Sequence, residues 1–347
     1  MAAHVSSRCE LIFLVFTPTR LTEETWSSLL HDIRISISSQ MTAHDLLKHA
    51  VRYLDAEDDR STGRIAELVV VMDREPATLT ECTNFCQTNA QVASLQQKYN
   101  VEVVLQPGEL YALHKTPGLA VFDMDSTLIQ QEVIDELARA VGLYDKVAAI
   151  TEAAMRGEAP YTDFEASLRA RVALLKGVPT SIWDQLKAGV ITFTPGASEL
   201  ARTLKTLGWK TAVLSGGFTP LANWVKETLG LDYAYANHLA SDPHLNILTG
   251  ELVPGPPIVH AQRKRELLLQ LAADNNIPAE RTIAVGDGSN DLLMMGAAGL
   301  GIAFNAKPKV QQAAPARLNS KSLLDVMYVL GYDKREVHGL LGRSVQP

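Results

Sequence analysis

The sequence predicts a parallel α/β sheet of the Rossmann kind, interrupted by a helical insertion and preceded by a small α+β domain. Three observations carry this. From Thr194 onward short apolar runs alternate with helical periodicity, and each run is apolar throughout, as in parallel strands covered on both faces. Between Gln131 and about Ala188 the pattern is helical, with no β-branched alternation. The first 105 residues mix strand and helix patterns and are set off by "QPGELYALHKTPG", which has a Pro–Gly pair at each end.

In chain order, the N-terminal domain (1–105) begins with the strand "LIFLVF", Leu11–Phe16. Helical stretches follow around Thr22–Ile33 and His44–Leu54, then a strand ending at Asp73, one long helix from about Thr78 to Tyr99, and the strand "VEVVL". Residues 106–117 read as a linker. The core is expected over 118–130 and 190–332, the helical insertion over 131–189, and a frayed polar tail over 333–347. Within the core, Leu200, Leu204 and Leu207 mark a helix stopped at Gly208. The strand "WKTAVLS", a helix near 221–229, strand-like segments at Tyr233–Asn237 and Ile247–Leu252, a helix near Ala261–Ala273, the strand "TIAVGD", a helix from Asn290 and the strand "GLGIAF" complete it.

Bulk properties exclude several classes. A length of 347 residues suggests about two domains, and 46% hydrophobic content supplies a packed core. A net charge of −7 argues against bulk binding of nucleic acid or anionic membrane. The three cysteines, Cys9, Cys82 and Cys86, lack metal-ligand spacing and read as reduced thiols of a cytoplasmic protein. No apolar run approaches the roughly 18 residues of a membrane span, and "LIFLVF" after Glu10 is too short for a signal-peptide core. The nine histidines form no HExxH pair, which argues against zinc.

Chemistry concentrates where three apolar strands end in polar loops: "DMDST" from Asp123, "SGGFT" from Ser215 and "GDGSND" from Gly286. Ligands of open α/β sheets bind outside the carboxyl ends of strands, so these loops should meet and gather Asp123, Asp125, Asp287 and Asp291. Two such charges about 4 Å apart repel by roughly 4 kcal/mol at an effective dielectric near 20. A cation, a retained proton or a loop that splays the side chains would offset this. A hard divalent cation suits four carboxylates, and Mg²⁺ takes one or two of them directly. An EF-hand is excluded, because its sixth and twelfth positions counted from Asp123 are Leu128 and Ile134. The "SGG" amides form an anion nest without a Walker A lysine, and Lys264 in "HAQRKRELL" is the candidate to reach a phosphate.

This set resembles the haloacid-dehalogenase-like phosphohydrolases, and from about Pro117 to Leu330 the chain is similar to the branch that acts on phosphoserine. The likeness includes "TEAAMRGEAPYTDFEASLRARVALLKG" and "GLGIAFNAKPKV". It implies a core with a helical cap and Mg²⁺-dependent hydrolysis of O-phospho-L-serine, the last step of serine biosynthesis. Asp123 would be the nucleophile and Asp125 the general acid and base. Asp123, Asp287 and the carbonyl of Asp125 would hold Mg²⁺, with Asn290 and Asp291 behind them. Ser215, Gly216 and Lys264 would bind phosphate. Glu132 and Arg171 would read the ammonium and carboxylate of the substrate, with Phe164 and Met155 lining the pocket. The N-terminal domain is similar in position to regulatory domains of the ACT type, and a homodimer is compatible with the resemblance. A phosphotransferase, a phospho-accepting receiver domain and a silent amino-acid sensor are the competing readings. The cap and Asp125 count against the receiver, and the intact motif set counts against the sensor.

Overall fold

The computed structural model describes residues 8–38, 46–57 and 62–342. The N-terminal domain runs β1 (Arg8–Phe16), α1 (Glu23–Ser38), β2 (Leu46–Tyr53), β3 (Ile65–Asp73), α2 (Leu79–Thr88), α3 (Ala90–Tyr99) and β4 (Glu102–Pro107). Its sheet is antiparallel in the order β2-β3-β1-β4, a ferredoxin-like split βαβ arrangement. Alternate β1 residues explain why "LIFLVF" is apolar throughout. Leu11, Phe13 and Val15 pack under the domain's own helices. Ile12, Leu14 and Phe16 join the core of the following domain.

The chain continues through α4 (Gly108–Leu113) to β5 (Leu119–Phe122), and then through the cap helices α5 (Val133–Ala140), α6 (Tyr144–Met155), α7 (Phe164–Ala173) and α8 (Ile182–Gly189). It returns as α9 (Ala197–Thr206), β6 (Lys210–Phe218), α10 (Thr219–Leu229), β7 (Tyr233–Asn237) and the ribbon β8 (Leu239–Asp242) and β9 (Ile247–Leu252). The remainder is α11 (Ala261–Asp274), β10 (Thr282–Gly286), α12 (Leu292–Ala297), β11 (Leu300–Phe304), α13 (Pro308–Ala313), β12 (Ala316–Leu318), α14 (Val326–Val329) and α15 (Lys334–Gly342). Six strands form a parallel sheet ordered β12-β11-β10-β5-β6-β7. From β5 the chain builds outward on one side through β6 and β7, and on the other through β10, β11 and β12. The crevice at the carboxyl end of β5 is therefore the switch point.

Four sequence expectations are corrected. The helical stretch at 44–54 is the strand β2, drawn into the sheet by antiparallel pairing with β3; its first two residues lie outside the described residues. The single helix at 78–99 is two, because the Asn89 side chain accepts from the N–H groups of Gln91 and Val92 at 2.8 and 3.2 Å and so starts a new helix. The expected linker 106–117 is instead the end of β4, paired with β1, followed by α4; Gln106 within it is fully buried. Most of the expected tail is α15, whose Val337 and Leu340 are buried and which packs on α9. Reciprocal hydrogen bonds of 2.8 Å between Asp333 and Glu336 cap its start. Residues 343–347 of that tail lie outside the described residues.

Candidate active site

The three polar loops do meet. β5 is buried along its whole length and delivers Asp123 to the sheet edge, where the Asp123 N–H donates to the Val285 carbonyl of β10 at 2.9 Å. The Asp123 Oδ1 accepts from the Met124 N–H at 2.7 Å and lies 2.7 Å from Lys264 Nζ, which fixes the plane of the carboxylate. After Asp123 the strand stops. Residues Met124–Leu128 form a tight turn with Ser126 at φ +55°. Beyond the turn Asp125 lines the same cleft as Asp123 and feels its charge.

Asp125 accepts from the Val133 N–H at 3.3 Å through Oδ2, while its Oδ1 is buried and has no partner. Burial, followed by the nearby charges of Glu132 and Asp123, raises its pKa well above the usual carboxylate range. This environment favours the neutral carboxyl.

α11 sends Lys264 into the site, fully buried and 2.7 Å from both Asp123 and Asp291. Burial works against its charge, but the two carboxylates outweigh it and raise its pKa. Asp291 also accepts from the Gly288 N–H at 3.0 Å. A Cβ on Gly286 would lie 2.4 Å from Asp291 Oδ2, so the strand can approach this carboxylate only with glycine there. Asp123, Asp287 and Asp291 bring carboxylate oxygens within 4.8 Å of one another. Burial and the neighbouring acids push Asp287 up to about 8 and Asp291 to about 7. One lysine among so many acids leaves a negative, all-oxygen donor set, which fits a hard divalent cation. The sequence expectation took a backbone carbonyl from Asp125 and side chains from Asp123 and Asp287; among the described residues the carboxylate of Asp291 lies beside those two side chains.

The "SGG" loop faces these acids. Ser215 is buried, and its Oγ accepts from the Gly217 N–H at 2.8 Å. A cleft of about 390 Å³ opens between this loop and the cap, lined by Phe164, Met155, Glu132, Arg171 and Asn290 among others. The Glu132 Oε1 accepts from Ser126 Oγ at 2.8 Å. Glu132 reaches solvent through the cleft, yet the protein packed around it raises its pKa. The Nε of Arg171 donates to the Ser167 carbonyl at 3.2 Å, and no carboxylate of the described residues forms an ion pair with this guanidinium within 4.0 Å. Burial lowers its pKa, opposed most by the charge of Asp135 and then by Glu132 and Asp125. Sequence reasoning missed Lys307, which also lines the cleft and favours the ionised forms of Glu132 and Asp287. Its signal was a basic residue just beyond the carboxyl end of a fourth strand, in "FNAKPK".

A clustered set of carboxylates, a buried lysine and an anion nest at the switch point of a capped parallel sheet define a phosphoryl-transfer hydrolase. The family model of the haloacid dehalogenase-like hydrolases matches residues 120–296, and the chain belongs to that family. Within it the chain groups with the phosphoserine phosphatases. It is 50% identical over 223 residues to a probable phosphoserine phosphatase of Schizosaccharomyces pombe, covering 64% of this chain and 73% of that one. A crystal structure of a probable phosphoserine phosphatase from Vibrio cholerae matches with a TM-score of 0.66 at 32% identity, over 93% of this chain and 86% of that one. A phospho-aspartyl intermediate analogue of phosphoserine phosphatase matches with a TM-score of 0.56 at 41% identity, over 62% of this chain and 99% of that one. Among the described residues no helix is long and apolar enough to cross a membrane.

Proposed function

We propose that the chain hydrolyses O-phospho-L-serine to L-serine and phosphate, the closing reaction of serine biosynthesis, through an aspartyl-phosphate on Asp123. The observation that carries the substrate assignment is Arg171. Its guanidinium opens into the cleft, has no ion-pair partner within 4.0 Å among the described residues, and shares that cleft with the carboxylate of Glu132. An α-carboxylate and an α-ammonium match that pair, and arginine binds a carboxylate through two parallel hydrogen bonds.

In the first step an oxygen of Asp123 forms a bond to phosphorus as the bond from phosphorus to the serine oxygen breaks. Asp125, protonated by its surroundings, gives its proton to that leaving oxygen. In the second step Asp125 takes a proton from the water whose oxygen bonds to phosphorus as the bond from phosphorus to Asp123 breaks, which releases phosphate and restores both aspartates. The hydroxyl of Ser215, the Gly216 backbone and Lys264 hold the phosphoryl oxygens, and the two carboxylates beside Lys264 keep its charge in place. Asp123, Asp287 and the Asp125 carbonyl, supported by Asp291 and Asn290, would hold Mg²⁺, which when bound offsets negative charge on the phosphoryl oxygens.

The test is phosphate release from phosphoserine, p-nitrophenyl phosphate and sugar phosphates, with Mg²⁺ and with a chelator. Phosphoserine should be preferred and activity should vanish with the metal. Arg171→Ala should lower kcat/KM for phosphoserine roughly 10²-fold and change that for the aryl ester only slightly. Equal losses on both esters would remove Arg171 from substrate recognition.

A further inference from the structure

The phosphate loop is an excursion from the sheet, and one buried side chain takes over the pairing that the sheet gives up there. β6 pairs with β7 from Ala212–Leu214 against Tyr233–Tyr235, and again at Phe218 against Asn237. Between these points β6 spends four steps and β7 two, so Ser215, Gly216 and Gly217 bulge out of the ladder. A bulge leaves backbone groups without ladder partners, and here the Gly216 carbonyl accepts instead from Asn237 Nδ2 at 2.8 Å.

The other end of the same amide does equivalent work. Asn237 Oδ1 accepts from the Val259 N–H at 2.8 Å. Val259 immediately precedes His260, whose side chain caps the start of α11, the helix that carries Lys264. Asn237 is 3% exposed, and Thr219 Oγ1 donates to its carbonyl at 3.0 Å. A single amide thus links the anion-binding loop to the segment that launches the phosphate-binding lysine. The space is tight: a Cβ on Gly216 would meet the Phe164 ring of the cap at 3.2 Å and the Val259 carbonyl at 3.7 Å.

We propose that Asn237 is a positioning residue for phosphoryl transfer, setting the separation of the Ser215–Gly217 loop and the Lys264 helix. This rests on those elements being the phosphate site and not on the identity of the alcohol. The amide suits the task because one end must donate and the other accept. Aspartate has the same shape, but it loses the donor and sets a carboxylate oxygen against the Gly216 carbonyl.

The experiment compares the full chain with Asn237→Asp and Asn237→Ala, measuring thermal unfolding, kcat and KM for phosphoserine and for p-nitrophenyl phosphate, and inhibition by inorganic phosphate. Activity of the unaltered chain on the aryl ester reports the phosphate site even if phosphoserine proves not to be the substrate, so the two readings fail separately. The expected result for Asn237→Asp is a fall in kcat/KM of about 10- to 100-fold, equal on both esters. The upper value is what misplacing a reacting group by about 1 Å costs. Inhibition by phosphate should weaken in parallel, and Asn237→Ala should fall between the two. Folded variants that keep kcat/KM and phosphate inhibition within about twofold would overturn the proposal. So would a loss confined to phosphoserine, or failure of both variants to fold, which would make Asn237 a folding residue only.

Discussion

Among the described residues, acids are buried in two places and treated in opposite ways. At the seam between the N-terminal and catalytic domains the buried acids Glu67, Asp55 and Asp325 each meet an arginine. Glu67 receives Nε and Nη2 of Arg52 at 2.7 and 2.8 Å together with the Tyr111 hydroxyl. Asp55 accepts from Arg64 Nε at 3.1 Å and from two backbone N–H groups, and Asp325 is met by Ser320 and Arg64. At the switch point Asp123, Asp125, Glu132, Asp287 and Asp291 share one buried lysine, with Arg171 and Lys307 farther out. A balanced cluster can only hold two surfaces together. An unbalanced one leaves a charge deficit that a metal ion and a substrate's cationic group can fill, and it raises the pKa of Asp125. Reading charge balance therefore separates a structural polar network from a reactive one.

The contrast is broken most severely by removing the proposed nucleophile. Asp123→Asn should lower kcat at least roughly 10³-fold while the chain stays folded, because it reduces the repulsion instead of adding to it. Phosphate-release assays with a denaturation curve check both halves. Lys264→Met should abolish activity and also cost about 3–5 kcal/mol of stability, since it strands two buried carboxylates. Added Mg²⁺ should recover part of that loss in a urea titration, whereas a seam variant should gain no more from Mg²⁺ than the unaltered chain does.

The seam has its own titratable group. His114 is 1% exposed, and burial pushes its pKa down to about 4. Gln106 Nε2 donates to the Val329 carbonyl, so its Oε1 accepts from His114 Nε2, leaving Nδ1 buried without a proton or partner. The unfolded chain takes up a proton near pH 6.5 and the folded chain does not. Stability from this group is complete above pH 6.5 and is lost as pH falls toward 4, by about 2 kcal/mol at pH 5. Urea midpoints measured across that range should fall less steeply in His114→Gln than in the unaltered chain. The smallest effect is expected from Glu67→Gln, about 1–2 kcal/mol of stability with kcat unchanged. A change in kcat there would mean that the seam communicates with the site.

Much of the catalytic sheet was legible because its strands are buried on both faces and read as unbroken apolar runs, each ending in a polar loop. Helix ends were less legible where a side chain decides them. Asn89 splits one helix into two, and the Asp333–Glu336 box starts a helix where polarity suggested a tail. β2 was misread because an edge strand carries little apolar signal of its own and is defined by its partner.

By itself the sequence determined the three strand-end loops and the residue types they bring, because short-range patterning and the rule of carboxyl-end sites depend only on local order. It also determined that two aspartates so placed must be reconciled in some way. Only the tertiary structure decided how. A turn follows Asp123, burial and neighbouring acids raise the pKa of Asp125, and Asp291 joins Asp123 and Asp287 in a carboxylate triad beside Lys264. Asn237 had no signal at all, since its importance lies in two backbone groups 21 and 22 residues away that only the fold brings within reach. Charge state and positioning arise from long-range contacts, which spacing along the chain does not encode.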